Sequence, residues 1–497
     1  MNPFKKLAGQ TAIYGLPSIL GRLLNYFLVP FYTRVLAEGE FGSFSVMYSY
    51  TGILIVVLTY GMETAYFRYA AKCENHPNVY SSTFLSIFST SLLFVAVAQL
   101  FPSTIASWID YADHPEYVRW FGIIIGVDAL ISIPFAYLRQ QGKAKRFAVI
   151  RFSNIVINIG LNLFFILFCP YILKMEGDSF LKSAIGSFFN TNDLVSYVFI
   201  SNLIASVCSM VLLFPEIIKG FGKFDVAIWK KLIAFGLPML LVGLSGNINE
   251  NIDKLMLRYI LPGDIAEAQV GIYAACYKIS ILMTLFNQAY RYAAEPFFFS
   301  YAENRDSKNV YALLLNYFVI IVGALYLITM LFLDVLILFI GPNFRSGQAV
   351  VPVLMLGLLF LGVYYNLSVW YKLTDKPLYG AIISIIGSVI TIVINAVTIP
   401  LIGYMGSAWA TLICYASMMV ISYFWGQKHF PVKYNFKKFF LYVGSAVGFY
   451  LFSLLFANLN LYLHLAINAG LFLIYILLVI KVEKVALTNV KNMFRKE

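Results

Sequence analysis

The sequence predicts an all-α polytopic membrane protein with about 14 transmembrane helices arranged in two related halves. Of its 497 residues, 60% are hydrophobic and only 12% are charged, and the mean hydropathy is +0.78. Soluble domains carry roughly 25% charged residues, so a polytopic membrane protein is the class that fits this composition. A series of membrane-length apolar stretches and an internal repeat support the same fold class.

The apolar stretches set the number of helices. A transmembrane helix needs roughly 20 mostly apolar residues. The first stretch follows two lysines, as a signal peptide would, but it is long and contains Arg22 and Asn25, so we expect it to be retained. The predicted spans lie near residues 10–34, 42–66, 81–101, 117–138, 147–172, 194–215, 231–260, 270–298, 309–333, 349–371, 378–400, 406–427, 437–457 and 460–481.

The loops between the spans sort by charge. The chain has 36 lysine and arginine residues and 24 aspartate and glutamate residues, which gives a formal net charge of +12. The cations concentrate in every second loop and at both ends of the chain, and the intervening loops carry acidic residues. By the positive-inside rule both termini are cytoplasmic, which requires an even number of spans.

An internal repeat connects the start of the chain with the stretch after Trp229. The matches keep the same order at a nearly constant offset, which is typical of transporters built from two related bundles, and chance similarity between apolar segments is the alternative. The matched pairs are Phe4-Lys5-Lys6-Leu7 with Trp229-Lys230-Lys231-Leu232, Gly15-Leu16-Pro17 with Gly236-Leu237-Pro238, Arg34 with Arg258, and Phe41-Gly42 with Val270-Gly271.

The predicted span 231–260 carries ionisable groups in its middle, namely Glu250, Asp253 and Lys254. Such groups cost at least about 2.5–3.5 kcal/mol each at bilayer depth, so a functional site is the default hypothesis. Glu250, with Asn247 and Asn395, is a candidate proton or sodium site, because hard oxygen ligands suit either ion. The alternative is a local ion pair, since Glu250 precedes Lys254 by four residues.

Other predicted spans carry polar residues at helical spacing on one stripe. Lipid offers these groups no partners, so the stripes must face protein or a water-filled cavity. Hydrogen bonding between helices accounts for asparagines and serines as well as a cavity does. A cation needs an anion or water, and the cations concerned are Arg22, Arg151, Lys278 and Arg291.

The stretch from Lys372 to Thr411, KLTDKPLYGAIISIIGSVITIVINAVTIPLIGYMGSAWAT, resembles the polysaccharide transport family. These are the Wzx-type oligosaccharide-lipid flippases of the multidrug/oligosaccharidyl-lipid/polysaccharide exporter superfamily. The stretch 137–163, and Arg34-Val35-Leu36 before Phe41-Gly42, resemble the matching places in the first half. The likeness extends over nearly the whole chain in span number and repeat order.

The resemblance implies two pseudo-symmetric six-helix lobes, residues 1–219 and 220–430, followed by two helices and a tail in residues 431–497. It also implies alternating access in a bacterial inner membrane. The cargo would be a polyprenyl-diphosphate-linked oligosaccharide, carried from the cytoplasmic to the outer leaflet for O-antigen, capsule or exopolysaccharide synthesis. In related lipid flippases, arginines on the first, second and eighth helices receive the diphosphate. Arg22 and Arg291 occupy comparable places, but the second span has only Glu63 and Arg68 near its end.

A diphosphate suits these cations, because the planar arginine fork binds two phosphate oxygens at once and a dry cavity strengthens the attraction. We therefore predict that Arg22, Arg291, Lys278 and Arg151 bind the substrate headgroup. The alternative is that they form structural ion pairs with Asp128, Glu250 or Glu295.

Two other function classes compete with this prediction. A cation-coupled multidrug exporter of the same superfamily would need an acidic, aromatic cavity. A membrane glycan polymerase or acyltransferase would need a large outer loop or a convergent acid–base set, whereas the outer loops are short and the four histidines lie far from the predicted cavity. We expect no catalytic residue, cofactor, bound metal or nucleic-acid partner. The expected partners are the lipid-linked oligosaccharide, membrane lipid, Na⁺ or H⁺, and other glycan-assembly membrane proteins.

Overall fold

A computed structural model describes residues 21, 23–70, 76–176, 180–191, 193–302, 304 and 306–493. Within these residues all regular secondary structure is helical, which confirms the predicted all-α class. The first predicted span, near residues 10–34, falls partly outside them.

Twenty-two α-helices follow one another along the described chain. In order, α1 to α22 are Val29–Val35, Glu38–Thr59, Met62–Ala70, His76–Leu100, Pro102–Trp108, Pro115–Gln140, Ala144–Leu163, Cys169–Lys174, Phe180–Phe188, Leu194–Leu212, Phe214–Lys219, Val226–Ile260, Gly263–Ile279, Ile281–Ser300, Ser307–Leu331, Leu333–Leu336, Val350–Leu367, Val369–Leu373, Pro377–Ile402, Tyr404–His429, Phe436–Ser453 and Leu461–Met493. A π-helical turn, Phe164–Phe168, joins α7 to α8, and 3₁₀ turns lie at Ile337–Phe339, Pro342–Ala349 and Leu454–Phe456.

Twelve helical segments in the described residues are long and apolar enough to cross a membrane. A thirteenth span results if Ile265–Ile279 and Ile281–Phe299, which meet at an angle of 52°, form one broken span. These thirteen coincide with the predicted spans after the first one. The prediction of a polytopic protein with about 14 spans is therefore confirmed.

The chain forms two compact units. Unit 1 comprises Met1–Ala275 and Ser384–Ser407, and unit 2 comprises Cys276–Ile383 and Ala408–Glu497. These units group residues by packing, whereas the predicted lobes follow the sequence repeat. The lobe boundaries at residues 219 and 430 therefore stay a prediction.

Within unit 1, α2 and α13 cross with their backbones in contact. A Cβ atom on Gly42 would lie 2.0 Å from the carbonyl oxygen of Glu267, and one on Gly271 would lie 1.9 Å from that of Glu38. Small residues permit such close approach between membrane helices. Gly42 and Gly271 are also a matched pair of the sequence repeat, so equivalent positions of the repeat meet at this crossing.

Unit 1 also packs α2 against α12 through glycines. Gly61 follows α2 with a positive φ of 73°, and a Cβ there would lie 2.3 Å from the carbonyl oxygen of Gly236. A Cβ on Gly52 would lie 3.2 Å from Oδ1 of Asn247. Helix α12 is thus held against α2 along much of its length, with its polar residues at fixed positions.

In unit 2, a buried carboxylate joins α21 to α22. Glu483 is 4% exposed, and its Oε1 accepts hydrogen bonds from Nζ of Lys438 at 2.7 Å and from the hydroxyl of Tyr442. A buried charge is tolerated when it is paired and hydrogen-bonded, as it is here.

Candidate functional site

The predicted site residues that the structure describes fall among three groups of charged or polar side chains. Two of these groups belong to unit 1 and one to unit 2. Arg22, which the sequence predicts as a headgroup ligand, lies outside the described residues.

The first group is a ladder of arginines and phenylalanines between α6 and α7. The guanidinium of Arg151 lies 4.0 Å from the ring centroid of Phe135 and 5.8 Å from that of Phe147. Arg139 approaches the same Phe147 ring at 5.9 Å. Two cations therefore share one aromatic ring, an arrangement that suits the planar guanidinium group.

Carboxylates lie at both ends of this ladder. Arg139 donates a hydrogen bond to Glu63. Asp128 attracts Arg151 electrostatically and also interacts with Ser206. The alternative prediction was an ion pair between Arg151 and Asp128. The structure shows a longer-range attraction between these two residues, and the direct ion pair of this group joins Arg139 to Glu63.

Helix α7 has exposed side chains on two opposite sides. Arg151 is exposed, and so are Val149 and Val156 on the opposite side of the helix. Valine is suited to lipid contact, but an arginine inside a span, here about two turns from its start at Ala144, needs water or a polar partner. The face of α7 that carries Arg151 therefore differs in polarity from the face that carries Val149 and Val156. Asn154, on the same stripe, instead donates to the Ser209 hydroxyl of α10 at 2.9 Å, a helix–helix hydrogen bond.

The second group surrounds Asp253 in α12. Asp253 is 4% exposed, and its carboxylate accepts hydrogen bonds from the Tyr273 hydroxyl at 2.6 Å and from Nζ of Lys254 at 3.0 Å. Lys254 also donates to the backbone carbonyl of Glu250 at 3.3 Å, while the Glu250 residue itself is exposed. The ion pair of Lys254 is therefore with its neighbour Asp253.

Asp253 is recognisable in the sequence as a carboxylate inside the span, but its pairing with Lys254 and Tyr273 was not predicted. Residues one apart on a helix do not ordinarily face each other, so the spacing rule favoured Glu250 as the partner of Lys254. Tyr273 lies on another helix and is brought to Asp253 only by the packing of α13 on α12. The one available sequence signal was the presence of a second carboxylate next to the lysine.

The other residues predicted to form the ion site have separate hydrogen-bond partners. Asn395 is fully buried, donates to the Thr391 carbonyl at 2.9 Å and accepts from the Ser407 hydroxyl at 2.8 Å. Asn247 interacts with Gly243 and Asn251 of its own helix. The hydrogen bonds of the described residues do not join Asn247, Glu250 and Asn395, so their role in ion coupling stays a prediction.

Helices α12 and α19 do meet through other polar residues of unit 1. Ser388 donates to the Ser245 carbonyl at 2.9 Å, and Thr391 donates to Oδ1 of Asn249 at 3.4 Å. All four residues are buried. Polar residues of the predicted span 378–400 are thus used for packing against α12.

The third group contains Arg291, in the middle of α14 in unit 2. Its guanidinium lies 5.2 Å from the ring centroid of Tyr365, and it is partly exposed. Glu295, one turn further along, forms its ion pair with Lys372. Within the described part of the chain, Arg291 has no carboxylate partner.

Lys278, near the end of α13, is partly exposed and has polar or electrostatic interactions of its own. Its predicted role in headgroup binding stays a prediction. Across the described ranges, no cluster of three or more His, Cys, Asp or Glu side chains could hold a metal ion.

A family model described as "Polysaccharide biosynthesis protein" matches residues 7–302, more than half of the chain. The chain belongs to this polysaccharide biosynthesis family. The resemblance to the polysaccharide transport family that the sequence analysis identified is therefore confirmed. A comparison with curated proteins found no match.

Solved structures share the fold at low sequence identity. The lipid II flippase MurJ, in an inward closed conformation, matches with a TM-score of 0.69 and 13% identity over 94% of this chain and 98% of that one. An inward-facing multidrug resistance MATE family transporter of the MOP superfamily matches with a TM-score of 0.59 and 15% identity over 85% of this chain and 93% of that one. A MATE transporter of Vibrio cholerae, VcmN, matches with a TM-score of 0.60 and 14% identity over 86% of this chain and 98% of that one. This member of the family thus has the fold of MOP-superfamily transporters in a multi-pass membrane protein.

Proposed function

We propose that this protein is a flippase without enzymatic activity. It moves a polyprenyl-diphosphate-linked oligosaccharide from the cytoplasmic to the outer leaflet by alternating access. It resides in a bacterial inner membrane with both termini in the cytoplasm, and its cargo serves O-antigen, capsule or exopolysaccharide synthesis. Membership of the polysaccharide biosynthesis family and the likeness in fold to a lipid II flippase support this proposal.

The observation that supports the proposal most directly is that Arg291 has no carboxylate partner among the described residues. An arginine in the middle of an apolar helix that lacks a carboxylate partner retains its full attraction for an incoming anion. Its contact with Tyr365 restrains the guanidinium plane without neutralising it. A diphosphate supplies paired oxygens that fit the guanidinium fork.

Arg151 is the corresponding candidate in unit 1. Its charge is offset by Asp128 at longer range, and its face is exposed. We propose that Arg151 attracts the headgroup more weakly than Arg291 does. Arg22 and Lys278 complete the proposed set on the strength of the sequence pattern.

Alanine replacement of Arg291 tests the headgroup assignment. In cells that lack their own copy of the gene, Arg291→Ala should reduce surface glycan at least about tenfold, because charge-assisted hydrogen bonds contribute about 1.5–3 kcal/mol each. Lipid-linked glycan should accumulate in the cytoplasmic leaflet. Arg119→Ala, at an exposed arginine of α6, is the matched control. Wild-type export by Arg291→Ala at a normal protein level would remove Arg291 from the mechanism.

We also propose that a sodium or proton gradient resets the empty carrier. Outward movement of an anion is favoured by about 2.3 kcal/mol per charge at 100 mV, so the return step is the one that needs coupling. The exposed carboxylate of Glu250, with Asn247 and Asn395, is the proposed site. Flipping in proteoliposomes that persists unchanged after both gradients are collapsed would rule out this coupling.

Export of cationic drugs is the second candidate function. Its support is the likeness in fold to multidrug resistance transporters, together with the carboxylates Asp128 and Asp253 within the helices of unit 1. A drug-accumulation assay separates the two functions. Efflux of cationic dyes with unchanged surface glycan in a deletion strain would favour the drug exporter.

A further inference from the structure

Unit 2 contains an apolar pocket that the proposed transport function does not use. Helices α15, α17, α20 and α21 and the linker before α21 enclose a cavity of about 460 Å³. Its lining is almost entirely hydrophobic and includes Val319, Val363, Val420, Phe439 and Phe440. None of the proposed headgroup ligands lines it. A cavity of this size and character suits a hydrocarbon chain.

The pocket is open on one side. Phe440 is 68% exposed, Phe424 is 61% exposed and Val420 is 44% exposed, and all three line the cavity. Large apolar side chains at the surface of a membrane-spanning helix face lipid. A lipid chain can therefore enter the pocket from the hydrocarbon region.

The linker at one end of the pocket is an ordered structure. Gln427 donates to the Val432 carbonyl at 2.8 Å, and the Asn435 side chain caps α21 by accepting from the backbone N–H of Lys438 at 3.1 Å. Tyr423 and Phe436 pack edge to face with their ring centroids 4.8 Å apart. The pocket is thus preformed, which lowers the entropic cost of binding.

The linker and the first turn of α21 carry uncompensated positive charge. Lys433 and Lys437 each lie one residue from a pocket-lining residue, Tyr434 and Phe436 respectively. Both lysines are exposed and have no partner within the described residues, whereas Lys438 is bound to Glu483. Residues 424–440 contain no aspartate or glutamate.

We propose that this pocket binds one anionic phospholipid as a fixed component of the membrane-embedded protein. An acyl chain occupies the cavity, and the phosphate interacts with Lys433 and Lys437. An apolar pocket with adjacent basic residues at the end of a membrane helix matches the two parts of such a lipid. Lys433 lies in the linker between α20 and α21, and Lys437 lies in the first turn of α21, so the bound lipid stays at one membrane surface and is not cargo.

The first test measures lipid retention by native mass spectrometry of the full chain in neutral detergent. Phosphatidylglycerol is the anionic probe and phosphatidylcholine the probe without net charge. We expect one tightly bound phosphatidylglycerol, with at least about tenfold preference over phosphatidylcholine. Equal retention of the two lipids would overturn the proposal.

Two lysine pairs test the headgroup contact. The double variant Lys433→Gln/Lys437→Gln should lower the affinity for phosphatidylglycerol roughly 30-fold, about fivefold per lysine, and leave phosphatidylcholine unaffected. Lys219→Gln/Lys223→Gln removes two exposed lysines from another loop and should change neither affinity. An equal loss in both double variants would show a non-specific charge effect and overturn the site.

A pocket-filling variant tests the acyl-chain contact. Val420→Trp should reduce the binding of both lipids, because the indole occupies the cavity. Unchanged binding by a folded Val420→Trp protein would overturn the assignment of the cavity, and the lysine pairs decide the matter if this variant does not fold. Displacement of phosphatidylglycerol by a polyprenyl phosphate would show that the pocket receives the cargo, which contradicts the proposed fixed lipid.

Discussion

Asp253 and Lys254 show how a charged pair is accommodated inside a membrane helix of unit 1. Their side chains are 5% and 13% exposed, and Tyr273 adds a hydrogen bond to the carboxylate. Removing one partner of such a pair leaves an uncompensated charge, whereas removing both leaves an apolar contact. The pair is therefore sensitive to single substitutions and less sensitive to a double one.

We predict that Lys254→Met destabilises the protein by about 3–5 kcal/mol, because Asp253 is left buried without its cation. Asp253→Leu/Lys254→Met should cost markedly less than Lys254→Met alone. Denaturant unfolding in detergent measures both values. Lys145→Met, at an exposed lysine, serves as the control. If the double variant lost as much unfolding free energy as Asp253→Leu and Lys254→Met lose together, the two side chains would not interact.

Arginine geometry gives a second prediction at the residue scale. Arg151→Lys keeps the charge near Asp128 but loses the planar contact with Phe135 and Phe147. If Arg151 binds a diphosphate, export should fall with Arg151→Lys at a normal protein level and fall further with Arg151→Ala. Surface glycan measured per cell distinguishes the two variants. Equal and full export by both would leave Arg151 with a structural role only.

Close contacts between helix backbones in unit 1 are made at glycine at three positions. Gly42, Gly61 and Gly271 each lie where a Cβ atom would lie within 2.3 Å of a carbonyl oxygen on another helix. Such contacts bring α2 against α12 and α13 without space for side chains. Gly42 and Gly271 are also a matched pair of the sequence repeat, and the structure shows their role in packing.

We predict that Gly271→Ala disrupts the crossing of α2 and α13, because the added methyl would lie 1.9 Å from the Glu38 carbonyl oxygen. The expected destabilisation is at least about 1–3 kcal/mol. Gly246→Ala in α12, where a Cβ atom has no neighbour within 4 Å, should be neutral or stabilising by up to about 1 kcal/mol. Thermal unfolding compares the two, and equal melting temperatures would contradict the close crossing.

At the scale of the whole molecule, the alternation of charge along the chain predicts its orientation. The loop around Asp113 is acidic and should face outward, whereas the loop around Lys223 is basic and should face the cytoplasm. Both residues are exposed. The orientation governs the proposed function, since cargo must move from the cytoplasmic to the outer leaflet.

Cysteine labelling in intact cells tests this orientation. In a variant whose five native cysteines are replaced, Asp113→Cys should react with a membrane-impermeant maleimide. Lys223→Cys should react only after the cells are opened. The opposite pattern would invert the proposed direction of transport, and labelling of both in intact cells would contradict the three spans predicted between the two residues.

The amino-acid sequence determined the fold class, the thirteen spans seen in the described residues and the family, because apolar length and motif order are properties of the chain itself. It also located the charged residues within the helices. Only the tertiary structure decided their partners. Lys254 pairs with Asp253, Glu295 pairs with Lys372, and Arg291 has Tyr365 beside it. Helical spacing describes neighbours on one helix, whereas these partners depend on side-chain direction and on which helices pack together, and neither is encoded in local periodicity.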